Sequence, residues 1–390
     1  MFTESDQRDM ARLRSEMVDV ITPDLNTDFN IYRWVHGWRG DITEASQRFR
    51  AYIENRKAAH LDDPNFLETF HSHPILQKCG PFFSFNITPS GVNPIDNTVI
   101  ILQRFSGVDY HSMTKVMTCG QFLSLYFVIC EWSLRQVLQC ERESGRKSGL
   151  TMLFDLDHFP LLQYANPNSA IYKIFMLCLC LLQDYYCDML HRLLIVNAPT
   201  MLNVVLSIVK RFLRPSTQQK FFTISHKEDI FKHVHPSVLP VRYGGQRQMH
   251  ASMVNLGGFS WNVDPESCTL VPRQIAQSDW FVPRHFNHQA TAETVDGRSM
   301  LEVRRHVNKA GSKLVWQFKT SGEVQTTVVH FKDGRKIRLA PFLTVITPKL
   351  PEEGSIVCSG AGDYALEFFN PHVGRSHVKV EYTIEIEPAQ

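Results

Sequence analysis

Between residues 98 and 224, short apolar runs alternate with longer runs of helical periodicity, and this rhythm constrains the fold more than any other feature of the chain. Residues 98–102, 150–154, 193–196 and 221–224 read as strands, with helices near 119–141, 168–188 and 200–213 between them. Such alternation builds βαβ units and a mainly parallel sheet. The strands are continuously apolar, as burial on both faces requires. The turn-forming run Leu239-Pro240-Val241-Arg242-Tyr243-Gly244-Gly245 closes the segment.

The flanks have different textures. Residues 1–60 read as helical, with Asp28, Asp41 and Thr43 as caps and Phe49, Tyr52 and Ile53 on one face of the last helix. Residues 248–285, punctuated by Gly257, Gly258, Pro265, Pro272 and Pro283, read as an irregular connector. Beyond them only strand patterns remain. Residues 314–318, 326–331 and 377–386 alternate, and Asp333-Gly334 is a hairpin signal, which together predict a sandwich. The expected organisation is a helical lobe at 1–75, an α/β domain at 76–247, a connector at 248–285 and an all-β domain at 286–390.

Composition limits the partners. Charged residues make up 21% of the 390 and the net charge is +2, so a nucleic-acid polyanion is not expected as a partner. Nine scattered cysteines without a Cys-x-x-Cys pair fit reduced thiols in a cytosolic compartment. The first residues lack the basic and apolar regions of a secretory signal. The strongest apolar run, 174–182, is about half the length that crosses a bilayer, and predicts a buried helix.

Residues 200–213 carry the clearest functional signal. Met201, Leu202, Val205, Ile208, Val209 and Phe212 share one helical face, while Asn203, Ser207, Lys210, Arg211 and Arg214 fall opposite. A basic amphipathic helix of this kind closes an apolar cavity from one side and meets anionic headgroups with the other. Packing on a sheet with a solvated outer face is the alternative.

Several ordered motifs resemble the CRAL-TRIO family, which includes phosphatidylinositol and tocopherol transfer proteins. They are Arg33-Trp34 with Gly40-Asp41-Ile42, Phe154-Asp155-Leu156, Asn197-Ala198-Pro199 followed by Phe212-Leu213-x-Pro215, and the closing run at 239–245. The resemblance spans about 28–247. In the tail, Trp316-Gln317-Phe318, the run from Gly362 to Asn370 and the final strand resemble a GOLD domain, so the whole chain is similar to the supernatant-protein-factor type. The resemblance implies an α/β domain with a helical lobe and a lipid pocket, followed by an all-β sandwich. It also implies a gate near 200–218 that opens at a membrane. Exposing a lipid of about thirty methylenes to water costs about 24 kcal/mol at about 0.8 per CH₂, so a gate must exchange lipid without passing it through solvent.

The resemblance also implies headgroup residues. Thr217, Lys220 and Asp188 stand where phosphatidylinositol-binding members engage the inositol phosphate, and Arg39 keeps one charge of a basic motif whose neighbour is here Trp38. An ammonium suits a phosphate, and a hydroxyl and a carboxylate suit inositol hydroxyls. Leu150 and Met152 occupy a strand on which phosphatidylcholine-binding members place hydroxyl residues, so weak phosphatidylcholine binding is expected. A sterol precursor or tocopherol is a further candidate. Lys210, Arg211 and Arg214 are the expected membrane contacts.

Enzymatic readings find fewer parts. Asp155-Leu156-Asp157 matches the Asp-x-Asp of metal-dependent glycosyltransferases, but it also matches a turn and helix cap. There is no Gly-x-Ser-x-Gly elbow, P-loop or His-Glu-x-x-His. His71 and His73, and His233 and His235, read as loop residues, not metal ligands. Lys332, Arg335, Lys336 and Arg338 surround the tail hairpin and suit either an anionic surface or solvent. The expectation is a non-catalytic lipid carrier without cofactor or metal, transiently attached to a membrane. A trafficking adaptor that binds a protein partner through the GOLD domain is the alternative, and a glycosyltransferase the third.

Overall fold

A computed structural model describes residues 2–89, 91–161, 166–211, 213–374 and 376–389, with Ile208 described by its backbone alone. The helical lobe consists of α1 (Glu4–Met17), α2 (Asp28–Gly37) and α3 (Ile42–Ala58). Asp41 caps α3, its Oδ1 accepting from the Glu44 N–H at 3.0 Å, as expected. Thr27, not Asp28, caps α2, and Thr43 lies inside α3. Phe49 and Tyr52 are fully buried, and Trp34 stacks on Phe49 with centroids 4.4 Å apart.

Short helices α4 (Phe66–Thr69), α5 (Pro74–Cys79) and α6 (Tyr110–Met113) lead to the long α7 (Cys119–Ser144), on which the lobe is pinned by two buried arginines. Arg33 bonds both carboxylate oxygens of Glu141 and the Ser148 carbonyl, and Arg56 donates to Glu131 at 2.8 Å. Removing one partner of such a buried pair costs about 3–5 kcal/mol.

The sheet runs β1 (Ser84–Phe85), β2 (Val99–Arg104), β3 (Leu150–Asp155), β4 (Leu190–Val196) and β5 (Phe221–Thr223) in that spatial order. β2 to β5 are parallel and β1 is antiparallel to β2. Right-handed crossovers between neighbouring parallel strands, taken always in one direction, put their helices on one face. Those helices are α7, α8 (Ala170–Tyr185) and α9 (Leu202–Lys210), with the short α10 (Pro215–Gln218) after them. Strand residues divide accordingly: Val99, Ile101, Leu150 and Ile195 join the helix-side core. Ile100, Leu102, Leu153 and Leu194 join a second core closed by Ile230, Val234, Leu239 and Tyr243.

Two expectations fail here. The apolar run 174–182 is not a buried helix, because α8 leaves Phe175 and Cys180 exposed and Leu179 and Leu182 half-buried. Nor is 248–285 irregular throughout. It holds a three-stranded sheet, β6 (Met253–Leu256), β7 (Phe259–Asp264) and β8 (Thr269–Leu270), whose Trp261, Val263 and Leu270 are buried in the main core. Gly257 and Gly258, both at positive φ, form its first turn.

The tail is the expected sandwich. One sheet is ordered β10 (Met300–Val307), β16 (Gly362–Phe369), β12 (Val324–Lys332) and β13 (Arg335–Arg338), with β14 (Leu343–Val345) on β12. The other is ordered β15 (Glu352–Val357), β11 (Lys313–Thr320), β17 (His377–Glu387) and β9 (Thr291–Asp296). Asp333 and Gly334 make the two-residue turn between β12 and β13. β14 packs against α7 and α8, and two buried side chains tie the sandwich to the rest. Asn55 of α3 bonds the backbone of Phe342 and accepts from Arg338, and Glu352 receives the Thr118 hydroxyl and the Gly120 N–H at the start of α7.

Candidate functional site

Three of the motifs singled out in the sequence meet at one carboxylate. Asp155, fully buried at the end of β3, accepts from Asn197 Nδ2 at 2.8 Å and from the Tyr243 hydroxyl at 3.0 Å. Burial and the carboxylate beside it push the Tyr243 hydroxyl well above the usual tyrosine range. Asp157 has the Arg242 guanidinium 3.6 Å away. The Asp-x-Asp pair is thus taken up by a structural junction, and no three His, Cys, Asp or Glu side chains gather as metal ligands among the described residues. Of the histidines, His71 sits in a 3₁₀ turn with Nε2 2.7 Å from the Ile87 carbonyl, and His235 Nδ1 lies 2.8 Å from the Ser237 hydroxyl, while the buried His73 Nδ1 has no hydrogen-bond partner among the described residues.

The junction positions α9, which starts just beyond Asn197. A cavity of 850 Å³ opens at its first turn, beyond the carboxyl ends of β3, β4 and β5, lined by Asp157, Asn197, Thr200, Thr223, Lys227 and Arg242 among others. Along α9 itself packing is thin among the described side chains. Leu202 is buried, Val205 and Val209 are half-buried, and Met201 and Val204 are 43% and 50% exposed. Phe212 and the Ile208 side chain lie outside the described residues. Lys210 is half-buried and Arg211 exposed. Arg214 is not a free surface cation: its Nη1 donates to the Gly37 carbonyl at 2.6 Å, and its guanidinium lies 4.0 Å from the Trp38 ring centroid.

Beneath α8 and α9, apolar side chains are left incompletely covered. Met152, Phe154, Phe159, Ile171, Leu206 and Phe221 are all half-buried and pack on the helix-side core. Leu150 is fully buried, deeper than its neighbour Met152. A helix apolar all round that leaves one side open, as α8 does, presents surface suited to an apolar occupant.

At the far end of α9 the polar residues converge. Lys220 Nζ donates to Asp188 Oδ1 at 2.7 Å and to the Leu190 carbonyl at 2.5 Å. His36 Nδ1 and Lys147 Nζ stand 3.2 and 3.7 Å from Asp188 Oδ2. Asp188 holds a positive φ of 54°, a conformation that Asp tolerates better than most side chains. Burial pushes its carboxyl up, but Lys220 and Lys147 outweigh burial and hold it below the ordinary value. A small cavity of 40 Å³ joins Asp188, Lys220 and Thr217 to His36 and Arg214. Arg39 is exposed and does not line it. His36 and Lys147 were not foreseen, and no local sequence signal marks either one.

Residues 95–245 match the model of the CRAL/TRIO domain. The chain carries a CRAL/TRIO domain. Domains of this family bind lipids and other small hydrophobic ligands and are generally non-catalytic. A CRAL-TRIO domain-containing protein of Caenorhabditis elegans is 27% identical, over 96% of this chain and 94% of its own. Protein ctg-1 of the same organism is 22% identical over 99% and 97%. Both alignments extend beyond the CRAL/TRIO domain into the sandwich. The crystal structure of Sfh5 covers 63% of this chain and 88% of its own, at 13% identity and a TM-score of 0.49. No helix among the described residues is long and apolar enough to cross a membrane.

Proposed function

We propose that this protein binds an inositol phospholipid, with its tails between the sheet and helices α8 and α9, and exchanges it at a cytoplasmic membrane surface without catalysis. The observation that carries this reading is the convergence of Asp188, Lys220 and Thr217 in one cavity at the exit of a thinly packed amphipathic helix. With Lys147 and Arg214 close by, cations outnumber the single carboxylate, which suits a phosphate diester whose ring hydroxyls bond Asp188 and Thr217. Arg211, beside exposed Met201 and Val204, suits the transient membrane contact. The sandwich fits a GOLD-type domain as in the supernatant-protein-factor group, here acting as a brace for α7 and α8.

Lipid co-purified with the full chain, identified by mass spectrometry, and loading from vesicles test the reading. Phosphatidylinositol should load well and phosphatidylcholine poorly, and Lys220→Ala should weaken phosphatidylinositol loading about tenfold, the scale of one charge-assisted hydrogen bond. Equal loading of the two phospholipids would sink the headgroup assignment. A protein that takes up no lipid would leave the adaptor role as the better account.

A further inference from the structure

The exit of α9 is held from the side. Arg214 follows the helix by four residues, and its backbone N–H donates to Gln183 Oε1 of α8 at 3.0 Å. Its guanidinium reaches the Gly37 carbonyl at the end of α2 and stacks on Trp38. The guanidinium of Arg48, itself held by Glu44 at 2.8 Å and by Asp184 of α8 at 3.3 Å, lies 5.5 Å from the same ring. The Trp38 indole N–H is buried without an acceptor among the described residues, so ring faces and not a hydrogen bond fix the side chain. Trp38 thus joins α2, α3 and the gate exit through two cations.

This clamp contrasts with the helix it follows, where, among the described side chains, Leu202 is the buried apolar anchor and Val204 is half exposed. A segment fixed at its ends and thinly packed between them opens when one end is released. We propose that the stack of Arg214 on Trp38 is the latch that keeps α9 closed, so that Trp38, a positioning residue away from the headgroup cavity, sets the rate of ligand exchange. The proposal rests on reading α9 as the movable cover. It also gives the aromatic residue beside Arg39 a role of its own: where a second basic side chain would offer charge, Trp38 offers a face that captures one.

Amide hydrogen exchange of the full chain, read by mass spectrometry without added lipid, tests the latch directly. Trp38→Leu and Arg214→Gln should each speed exchange of amides 202–211 about fivefold, the factor that one stacked cation at a half-exposed site sustains. The double variant should add little to Arg214→Gln, because that change already removes the stack together with the bond to Gly37. Trp38→Phe, which keeps an aromatic face, should lie nearer to wild type, and amides of β3 and β4 should not change. Unchanged exchange at 202–211, or an equal rise in β3 and β4, would make Trp38 a packing residue and overturn the latch. With protein preloaded with phosphatidylinositol, Trp38→Leu should also release lipid to acceptor vesicles faster at unchanged equilibrium loading. Release at the wild-type rate would count against the latch alone, whereas a wild-type protein that takes up no lipid would count against the lipid reading and leave the amide result to decide.

Discussion

The hydroxyl of Tyr243 donates a hydrogen bond to Oδ2 of Asp155 across 88 residues of sequence, and Asn197 occupies the other carboxylate oxygen. The end of β3, the approach to α9 and the closing turn are therefore one unit. The start of α9 is fixed by buried polar chemistry, whereas its exit is held by Arg214, which stacks on Trp38 and donates to Gly37 and Gln183.

Tyr243→Phe should lower unfolding stability by about 2 kcal/mol, as expected for a hydrogen bond to a buried charge. Asp155→Ala should cost more, because it strands the Tyr243 hydroxyl and the Asn197 amide together. Equilibrium urea denaturation measures both. A loss below the resolution of that method for Asp155→Ala would contradict the junction.

Asn55 is buried and uses both ends of its amide: Nδ2 donates to the Tyr185 hydroxyl at 2.7 Å, and Oδ1 accepts from the Phe342 N–H at 2.8 Å and from Arg338 at 3.1 Å. It links α3, α8 and the sandwich. Asn55→Leu should cost about 3 kcal/mol by leaving several buried groups unpaired. Brief proteolysis should then cut the connector near residue 285 earlier than in wild type. An unchanged cleavage pattern would show that the sandwich stays docked without Asn55.

Glu352 gives the docked sandwich a dependence on pH. Burial raises its carboxyl to about 7, against hydrogen bonds from Thr118 and Gly120 that pull the other way. Because the folded value lies above the unfolded one, the native state holds the proton longer, and this group's contribution falls as pH rises from about 4.5 to about 7 and is level above that. The span corresponds to about 3 kcal/mol. Glu352→Gln should flatten this slope in urea denaturation measured between pH 5 and 8. Parallel profiles for the two proteins would assign the slope to other groups.

Exposed Val204 of α9 and the flanking Met201 and Arg211 are the residues that the proposed membrane contact would use. Val204→Asp combined with Arg211→Glu should reduce binding to anionic vesicles at least about tenfold, since one basic residue near such a surface contributes about 1 kcal/mol and reversal doubles it. Sedimentation with vesicles reads the effect, and binding at the wild-type level would place the contact elsewhere.

The sheet and its helices were legible because strands buried on both faces must be apolar without interruption, and β2 to β5 are. The strand texture of the tail was legible through alternation and the Asp333-Gly334 turn. At α8 the apolar run 174–182 by itself says nothing about which side is left open. In the connector, Gly257-Gly258 reads as a break, although two such residues between Val254 and Trp261 also signal a hairpin. Thr217, Lys220 and Asp188 are grouped by the resemblance, not by spacing, and the ion pair between the last two has no signal in the sequence. The partners of Lys336, which are Glu302 and Glu367, and of Arg338, which is Glu54, lie too far along the chain for any local pattern to reveal. Those contacts occupy two of the four cations of the tail hairpin and leave Lys332 and Arg335 exposed.

The carboxylate of Glu352 completes the first turn of α7 from 232 residues downstream of Gly120. On the ribosome, the CRAL/TRIO domain therefore emerges with the start of its longest helix one acceptor short. That acceptor is the first residue of β15, and it arrives only after two strands of the sandwich's second sheet, β9 and β11, have been made. The Thr118–Gln121 capping box closes the helix start on its own, but the Gly120 N–H finds its carboxylate only once the chain has reached residue 352, which ties the finished first turn of α7 to the docked sandwich.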